Sequence, residues 1–180
     1  LMGSHLLRLY PTQKEPIDAL VNRIRSFLPI LRKHELALCV ENSSLCLYSS
    51  HELARLFEKV NDELFGACID VANSTGLLEK PIETVKILSP YVVSVHMKDF
   101  RIERKSVGSY TIYGVPLGKG LLDAKAIIDI IKESGRNPNI LLEQWMEQKG
   151  SEVETLREEE RWLNESITYI RSILGYSPSF

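Results

Sequence analysis

The chain has 180 residues, a formal net charge of −2 and a pI near 6.1. This length suits one domain with a buried core, so we expect a single domain over residues 1–180. The charge lacks the basic excess of proteins that neutralise phosphates, so nucleic acid is not an expected partner. No apolar segment approaches the roughly 20 residues that cross a bilayer, and the first ten residues do not resemble a signal peptide, so no membrane partner is expected.

Short apolar runs alternate with longer amphipathic segments along the chain. Apolar residues at helical spacing predict helices over 16–34, 50–62, 81–88, 122–134 and 151–174, with a kink at Pro29 and an N-cap at Ser50. The apolar runs 6–10, 36–40, 66–69, 91–95 and 139–142 predict strands. Their near-continuous hydrophobicity is typical of parallel strands covered by helices, which predicts an α/β fold of about five βα units.

Two architectures accommodate five such units. A (β/α)8 TIM barrel usually needs about 250 residues, so the five strands would be strands 4–8 of a partial barrel. About three N-terminal units would then be absent, or the sheet would be completed by a partner, which makes a homo-oligomer possible. The alternative is a flavodoxin-like sheet of five strands.

The three cysteines, Cys39, Cys46 and Cys68, are an odd number without the spacing of a disulfide framework. This usage is typical of a reducing compartment and predicts a cytoplasmic protein. Cys39 and Cys68 lie inside apolar runs and are interpreted as buried thiols.

Four predicted strands are each followed by a residue that can bind a metal ion: Glu41, Asp70, His96 and Glu143. The carboxyl ends of successive barrel strands meet, so these side chains are expected to converge. Three carboxylates packed together repel one another, and one divalent cation removes that cost. The oxygen and imidazole donors suit manganese, cobalt, magnesium or zinc. A single such acid is more often a helix cap, but repetition on four strands favours a metal site.

The motifs around these residues resemble, in order, those of the xylose-isomerase-like sugar isomerases and epimerases. They are Glu41-Asn42, Asp70-Val71-Ala72-Asn73, His96-Met97-Lys98-Asp99, Leu117-Gly118-Lys119-Gly120 and Leu142-Glu143. The resemblance covers about residues 36–174. It implies a TIM barrel in which Glu41, Asp70, His96 and Glu143 bind one divalent ion. It also implies that Glu41 and Glu143 move a proton through an enediolate of a small sugar or keto-sugar.

The residues expected to bind substrate are Asn42, Asn73, Lys98, Asp99 and Trp145. Many relatives have a histidine where Asn73 stands, so the epimerase subtype stays open. Asn42 either contacts substrate or fixes Glu41. Lys98 and Asp99 contact substrate or form an ion pair that anchors their loop. Trp145 forms the pocket wall or packs beneath the last helix.

The long connection over residues 100–119 has a basic cluster, Arg101, Arg104 and Lys105, that is either an anion site or solvated. A small hairpin is predicted over residues 108–114. We expect the hairpin to lie over the site.

The leading functional hypothesis is a metal-dependent sugar isomerase or epimerase. An inosose-type dehydratase would use the same metal and a base, so the motifs do not separate the two. A truncated barrel without catalytic activity is the third possibility. A DNA-repair endonuclease of this fold is disfavoured, because its three-metal cluster needs several histidines and only His96 lies at a strand end.

Overall fold

The computed structural model describes residues 3–43, 45 and 47–175, so Cys46 lies outside the described residues. One sheet contains, in spatial order, the parallel strands β1 (Leu6–Leu9), β2 (Ala37–Glu41), β3 (Phe65–Asp70), β4 (Val92–Met97) and β7 (Asn139–Leu142). A separate antiparallel hairpin consists of β5 (Asp99–Ser106) and β6 (Ser109–Val115). The helices are α1 (Ile17–Lys33), α2 (Ser50–Val60), α3 (Pro81–Leu88), α4 (Ala124–Glu133) and α5 (Glu152–Leu174).

The order of the parallel strands in the sheet follows their order in the chain. A flavodoxin-like sheet has the order 2-1-3-4-5, so that alternative is wrong. Sequential parallel strands with helical connections are the arrangement of a (β/α)8 barrel, of which this chain forms a part. The predicted fold class is confirmed.

The two faces of the sheet have different neighbours. On one face, Leu38, Val40 and Ile69 join an apolar core with the buried sides of the helices. Burying each such side chain stabilises the fold by about 1.5–3 kcal/mol. The alternate residues, including Cys39 and Cys68, face a cavity of about 470 Å³ on the other side. The period-2 alternation of strands therefore separates the core from the cavity.

The helix α2 begins one residue earlier than the predicted N-cap implied. Ser49, not Ser50, is the N-cap, and its hydroxyl accepts a hydrogen bond from the backbone N–H of Glu52. The Glu52 carboxylate accepts from the Ser49 N–H in return, which completes a capping box. In α1 the helix continues through Pro29, with buried residues on both sides of the proline offsetting its missing hydrogen bond.

The connection after β4 is a full hairpin that begins at Asp99, rather than a loop with a small hairpin at 108–114. Its basic residues are paired locally. Glu103 forms ion pairs with Arg101 and Lys105, and both cations lie 4.9 Å from the centroid of the Tyr113 ring. This pairing favours a solvated ribbon over an anion site.

In the part of the chain that the structure describes, no helix combines the length and the apolar character needed to cross a membrane.

Candidate metal centre

The structure brings the four predicted ligands together at one edge of the sheet. Glu41 and Asp70 end β2 and β3, His96 lies near the end of β4, and Glu143 follows β7. Donor atoms of Asp70, His96 and Glu143 all lie within 4.8 Å of one another. Glu41 completes the set, with its Oε1 3.9 Å from His96 Nδ1. Adjacent parallel strands whose carboxyl ends share one edge produce this convergence.

The imidazole of His96 presents its two nitrogens to different neighbours. Nδ1 lies 3.2 Å from Oε2 of Glu143, on the carboxylate side. Nε2 lies 3.5 Å from the sulfur of Cys68, on the cavity side. Two ligands bound to one ion by bonds of about 2.1 Å are separated by about 3.0–3.4 Å. The spacing of Nδ1 and the Glu143 carboxylate therefore fits a shared divalent ion.

The environment of Asp70 also tests whether these residues fit a divalent ion. Its side chain is 0% exposed, and Oδ1 accepts hydrogen bonds from the backbone N–H groups of Ala72 and Asn73. Oδ2 has no aligned hydrogen-bond donor among the described residues, although Lys98 Nζ lies 2.6 Å away as an ion-pair partner. Burial raises the pKa of Asp70 to about 6, against the opposing effect of Lys98. A carboxylate that is shielded from water and faces a cation at this oxygen is chemically suited to bind a metal ion there.

Two cationic side chains contact the carboxylates. Arg8 Nη1 lies 2.8 Å from Oε2 of Glu41 and 3.4 Å from His96 Nδ1. Lys98 Nζ lies 3.5 Å from Oε2 of Glu143. Together with a protonated His96, they balance the three carboxylates. The site thus compensates its negative charge with cations, as an ion would.

The ionisation of His96 and Glu143 reflects their contact. Hydrogen bonds to Cys68 and Glu143 raise the pKa of His96 to about 10, despite its partial burial. The hydrogen bond from His96 lowers the pKa of Glu143 to about 2, because it outweighs burial and is reinforced by Lys98. The Glu143 carboxylate is the charged partner of the imidazolium, and the ion pair between them stabilises the charged forms of both groups.

Asn42 holds the backbone of Asp70 rather than Glu41. Its amide nitrogen donates to the Asp70 carbonyl and its amide oxygen accepts from the Asp70 N–H, both at 2.7 Å. The side chain is buried and both ends are occupied. The predicted substrate contact of Asn42 is therefore replaced by a positioning role. Asn73 does face the centre, because its amide nitrogen lies 3.2 Å from Oε1 of Glu41.

Asp99 also has a different role from the predicted substrate contact or ion pair. Its Oδ1 accepts from the N–H groups of Phe100 and Leu122, and its Oδ2 accepts from those of Gly118 and Gly120. The residue is 2% exposed. The carboxylate therefore organises the turn between β6 and α4. The Gly-Lys-Gly segment is part of this turn, and a Cβ on Gly120 would approach Asp99 Oδ1 to 2.3 Å.

Lys98 and Trp145 form one wall of the centre. Lys98 Nζ lies 5.7 Å from the centroid of the Trp145 ring, within cation–π range, and the tryptophan is 49% exposed. The backbone of Trp145 lies against Gly114 of β6, where a Cβ would come within 1.8 Å of the Trp145 carbonyl oxygen. Trp145 is thus held by the hairpin.

Arg8 and Cys68 also lie at the centre. Arg8 is the one charged residue of the apolar β1 run, and that isolated charge makes it a possible substrate contact in the sequence. Cys68 was interpreted only as a buried thiol, since a lone cysteine in a strand gives no indication of its neighbours.

A family model described as xylose isomerase-like TIM barrel matches residues 2–173. The 3-oxo-isoapionate decarboxylase of Pectobacterium atrosepticum is 31% identical over 162 residues, which are 89% of this chain and 56% of the decarboxylase. The chain therefore spans little more than half of this relative.

Solved structures of the same fold cover most of the chain at low sequence identity. The IOLI protein with a bound zinc atom superposes with a TM-score of 0.72 at 14% identity, over 99% of this chain and 66% of its own. D-psicose 3-epimerase with D-tagatose, from Clostridium cellulolyticum, gives a TM-score of 0.64 at 12% identity, over 96% and 63%. These likenesses support the partial barrel.

Proposed function

The chain belongs to the xylose isomerase-like TIM barrel family, and we propose that its strand ends form the divalent-metal centre of an enzyme that modifies a keto-sugar. The observation that carries the proposal is the convergence of donor atoms from Asp70, His96 and Glu143, which all lie within 4.8 Å of one another. Glu41, Asp70, His96 and Glu143 would hold one ion of manganese, cobalt, magnesium or zinc.

When bound, the ion supplies a Lewis acid that polarises a substrate carbonyl. Glu143 is the proposed base, because its side chain is 42% exposed and reaches the open side of the centre. It would take a proton from the carbon beside the carbonyl. The electron pair of that C–H bond then forms the carbon–carbon double bond of an enediolate, and the carbonyl oxygen gains the negative charge.

Glu41 is the proposed second proton carrier. Its carboxylate is 6% exposed and is fixed at both oxygens, by Asn73 and by Arg8. Returning a proton to the opposite face of the same carbon gives an epimer, and returning it to the neighbouring carbon gives an isomer. The rigid environment of Glu41 suits a group that must deliver a proton to one position.

Lys98, Asn73 and Trp145 are the proposed substrate contacts. Asp70 and Glu143 outweigh the desolvation of Lys98 and raise its pKa, so the ammonium group is charged at neutral pH. It would bind an oxygen on which negative charge develops. The half-exposed Trp145 ring would pack against the apolar face of a sugar.

Decarboxylation of a 3-oxo sugar acid is the second candidate. The 31% identity with 3-oxo-isoapionate decarboxylase favours it, as does the presence of Arg8 and Lys98 beside the four ligands. The bond to the carboxylate would break, carbon dioxide would leave, and the electron pair would enter the neighbouring carbonyl to give the same enediolate. Both contacts of Arg8 use Nη1, and a guanidinium has further N–H donors for an anionic substrate.

The metal site is tested first, because it needs only this chain. Elemental mass spectrometry after dialysis against Mn²⁺ should find about one ion per chain, consistent with a single set of converging donors. His96→Ala and Asp70→Asn should each lose it. Glu147→Gln, an exposed change four residues after Glu143, is the matched control and should retain it. Equal metal content in all variants would contradict the site.

The reaction is tested next, with a panel of keto-sugars and 3-oxo sugar acids in D₂O. Isomerisation or epimerisation places deuterium on carbon without release of carbon dioxide. Decarboxylation releases one carbon dioxide per product. Glu143→Gln should abolish turnover of the isomerised substrates, whereas Glu147→Gln should leave it unchanged. Turnover that persists in Glu143→Gln would refute the role of Glu143 as base.

A further inference from the structure

Cys68 lies directly beside the metal-centre histidine. Its sulfur is 3.5 Å from His96 Nε2 and the residue is 1% exposed. A ligand atom from each of Glu41, Cys68 and His96 lies within 4.8 Å of the others. A second donor set therefore shares Glu41 and His96 with the first and replaces Asp70 and Glu143 by a thiol.

The spacing of this set fits a tetrahedral ion. Zinc binds cysteine sulfur at about 2.3 Å and histidine nitrogen at about 2.05 Å, which places the two ligand atoms about 3.6 Å apart at the tetrahedral angle. The 3.5 Å between Cys68 and His96 corresponds to that span without a change of side-chain position. The cavity of about 470 Å³ lined by Arg8, Cys39 and Cys68 gives an ion access from the inner face of the sheet.

The charges of the set also suit an ion of this kind. A coordinating ion displaces the thiol proton and the proton on Nε2 of the imidazolium, and both pass to solvent as the bonds to the ion form. The resulting thiolate and the Glu41 carboxylate together neutralise a divalent cation. The buried complex then carries no uncompensated charge.

We propose that Glu41, Cys68 and Nε2 of His96 form an alternative binding site for a thiophilic divalent ion, such as zinc or cadmium. Thiolate ligands prefer such ions to magnesium or manganese, for which the carboxylate set is suited. The two modes exclude each other, because they share Glu41 and two cations on one imidazole ring repel. This exclusion, though not the binding itself, rests on the metal centre proposed above. A soft ion at Cys68 would therefore inhibit the enzyme.

The test is a titration of the metal-free full chain with Cd²⁺ in a non-thiol reductant, followed by the near-ultraviolet charge-transfer absorbance of cadmium thiolate. We expect a band that saturates near one equivalent. Cys68→Ser should remove the band and weaken Cd²⁺ binding by more than the roughly 10- to 100-fold lost with an outer hydrogen-bond partner. Cys46→Ser, a change of the third cysteine, is the matched control and should leave the band intact.

Three further results decide the proposal. Asp70→Asn should keep the Cd²⁺ band, and its loss would place cadmium in the carboxylate set and overturn the proposal. An undiminished band in Cys68→Ser would also overturn it. Cadmium NMR of the unaltered protein reports sulfur coordination directly, so the test survives if a variant does not fold, and a spectrum with oxygen and nitrogen ligands alone would refute the site.

Competition between Mn²⁺ and Cd²⁺ distinguishes a failure of the thiolate site from a failure of the proposed metal centre. Added Mn²⁺ should raise the Cd²⁺ concentration at half saturation in the unaltered protein. A Cd²⁺ band in a chain that binds no Mn²⁺ would support the thiolate site and contradict the proposed metal centre. Simultaneous full occupancy by both ions would overturn the exclusion of one mode by the other.

Discussion

Replacing Asp99 by asparagine should destabilise the turn between β6 and α4, and through it the whole domain. The carboxylate has two oxygens, and each accepts two backbone N–H groups. An asparagine amide has only one oxygen. In either orientation, its NH₂ group therefore faces two N–H donors that lose their acceptor.

The magnitude follows from which pair is lost. Phe100 and Leu122 are buried, whereas Gly118 and Gly120 lie in an exposed turn. The amide oxygen should therefore face the buried pair, and water can solvate part of the glycine pair. Hydrogen bonds to a charged group contribute about 1.5–3 kcal/mol each, so two would give about 3–6 kcal/mol. We expect a loss near the lower end, about 3 kcal/mol of the free energy of unfolding.

Urea unfolding followed by circular dichroism measures this loss, and amide hydrogen exchange at Gly118 and Gly120 locates it. Asp123→Asn is the matched control, because Asp123 caps α4 with one hydrogen bond to the Ala126 N–H. Asparagine and aspartate cap helices about equally well, so that change should stay within about 0.5 kcal/mol. An Asp99→Asn protein of unchanged stability, with catalysis lost, would refute this reasoning and favour a direct substrate contact.

Three other results are expected. Metal binding at pH 8 should release about one proton from His96, because its pKa of about 10 keeps the metal-free imidazole protonated and an ion binds the neutral form. Calorimetry in buffers of different ionisation enthalpy measures this proton release. Binding heats that do not depend on the buffer would contradict the prediction. Metal affinity should fall more steeply below about pH 6 than above it, because the raised pKa of Asp70 leaves that carboxyl protonated there in addition to His96. A pH dependence with the same slope from pH 8 to pH 5 would exclude Asp70 as a ligand. Asn42→Ala should lower the free energy of unfolding by about 2–4 kcal/mol. The change leaves the buried N–H and C=O of Asp70 without the Asn42 side chain as a partner, at about 1–2 kcal/mol each. Asn61→Gly, at a left-handed helix end that suits glycine, should be near neutral in the same urea experiment.

The fold could be predicted from the sequence because the pattern that identifies each βα unit lies within the residues of that unit. Apolar runs, helical spacing and Pro81 at the start of α3 depend on neighbouring residues, and they placed most elements within two residues of the observed ends. The wrong N-cap residue of α2 could also have been corrected from the neighbouring sequence. Glu52 lies three residues after Ser49, and the spacing of a capping box identifies Ser49 as the cap.

The hairpin was harder to predict because it has little buried surface of its own. Its first strand carries arginine, glutamate and lysine residues that form ion pairs along the same exposed strand. Phe100 and Ile102 alternate with polar residues, but the rest of this strand, residues 103–106, is entirely polar. Its order comes instead from cross-strand hydrogen bonds, which composition does not report.

The candidate site was predictable in its residues but not in their hydrogen bonds. Strand position determined that Glu41, Asp70 and His96 converge, since barrel geometry brings the strand ends together. Asn42 and Asp99 look like substrate-binding residues in the sequence because they adjoin these positions. Their side chains turn to backbone groups, some more than 20 residues away in sequence. No local pattern encodes that choice, because it depends on which backbone groups need a partner.

Because Gly114 of the hairpin contacts Trp145, the support of the tryptophan lies in a different part of the molecule from the strands that carry the proposed metal ligands. These two parts can evolve at different rates. β4 and β7 are neighbours in the sheet and supply His96 and the approach to Glu143, while the hairpin inserted between them in the chain supports the tryptophan through the β6 backbone. Mutations that lengthen, shorten or tilt this hairpin can reshape the tryptophan wall and leave the strand ends in register. Under the proposed function, changes in this solvated ribbon would alter the substrate contact and leave the proposed ion-binding carboxylates and imidazole in place.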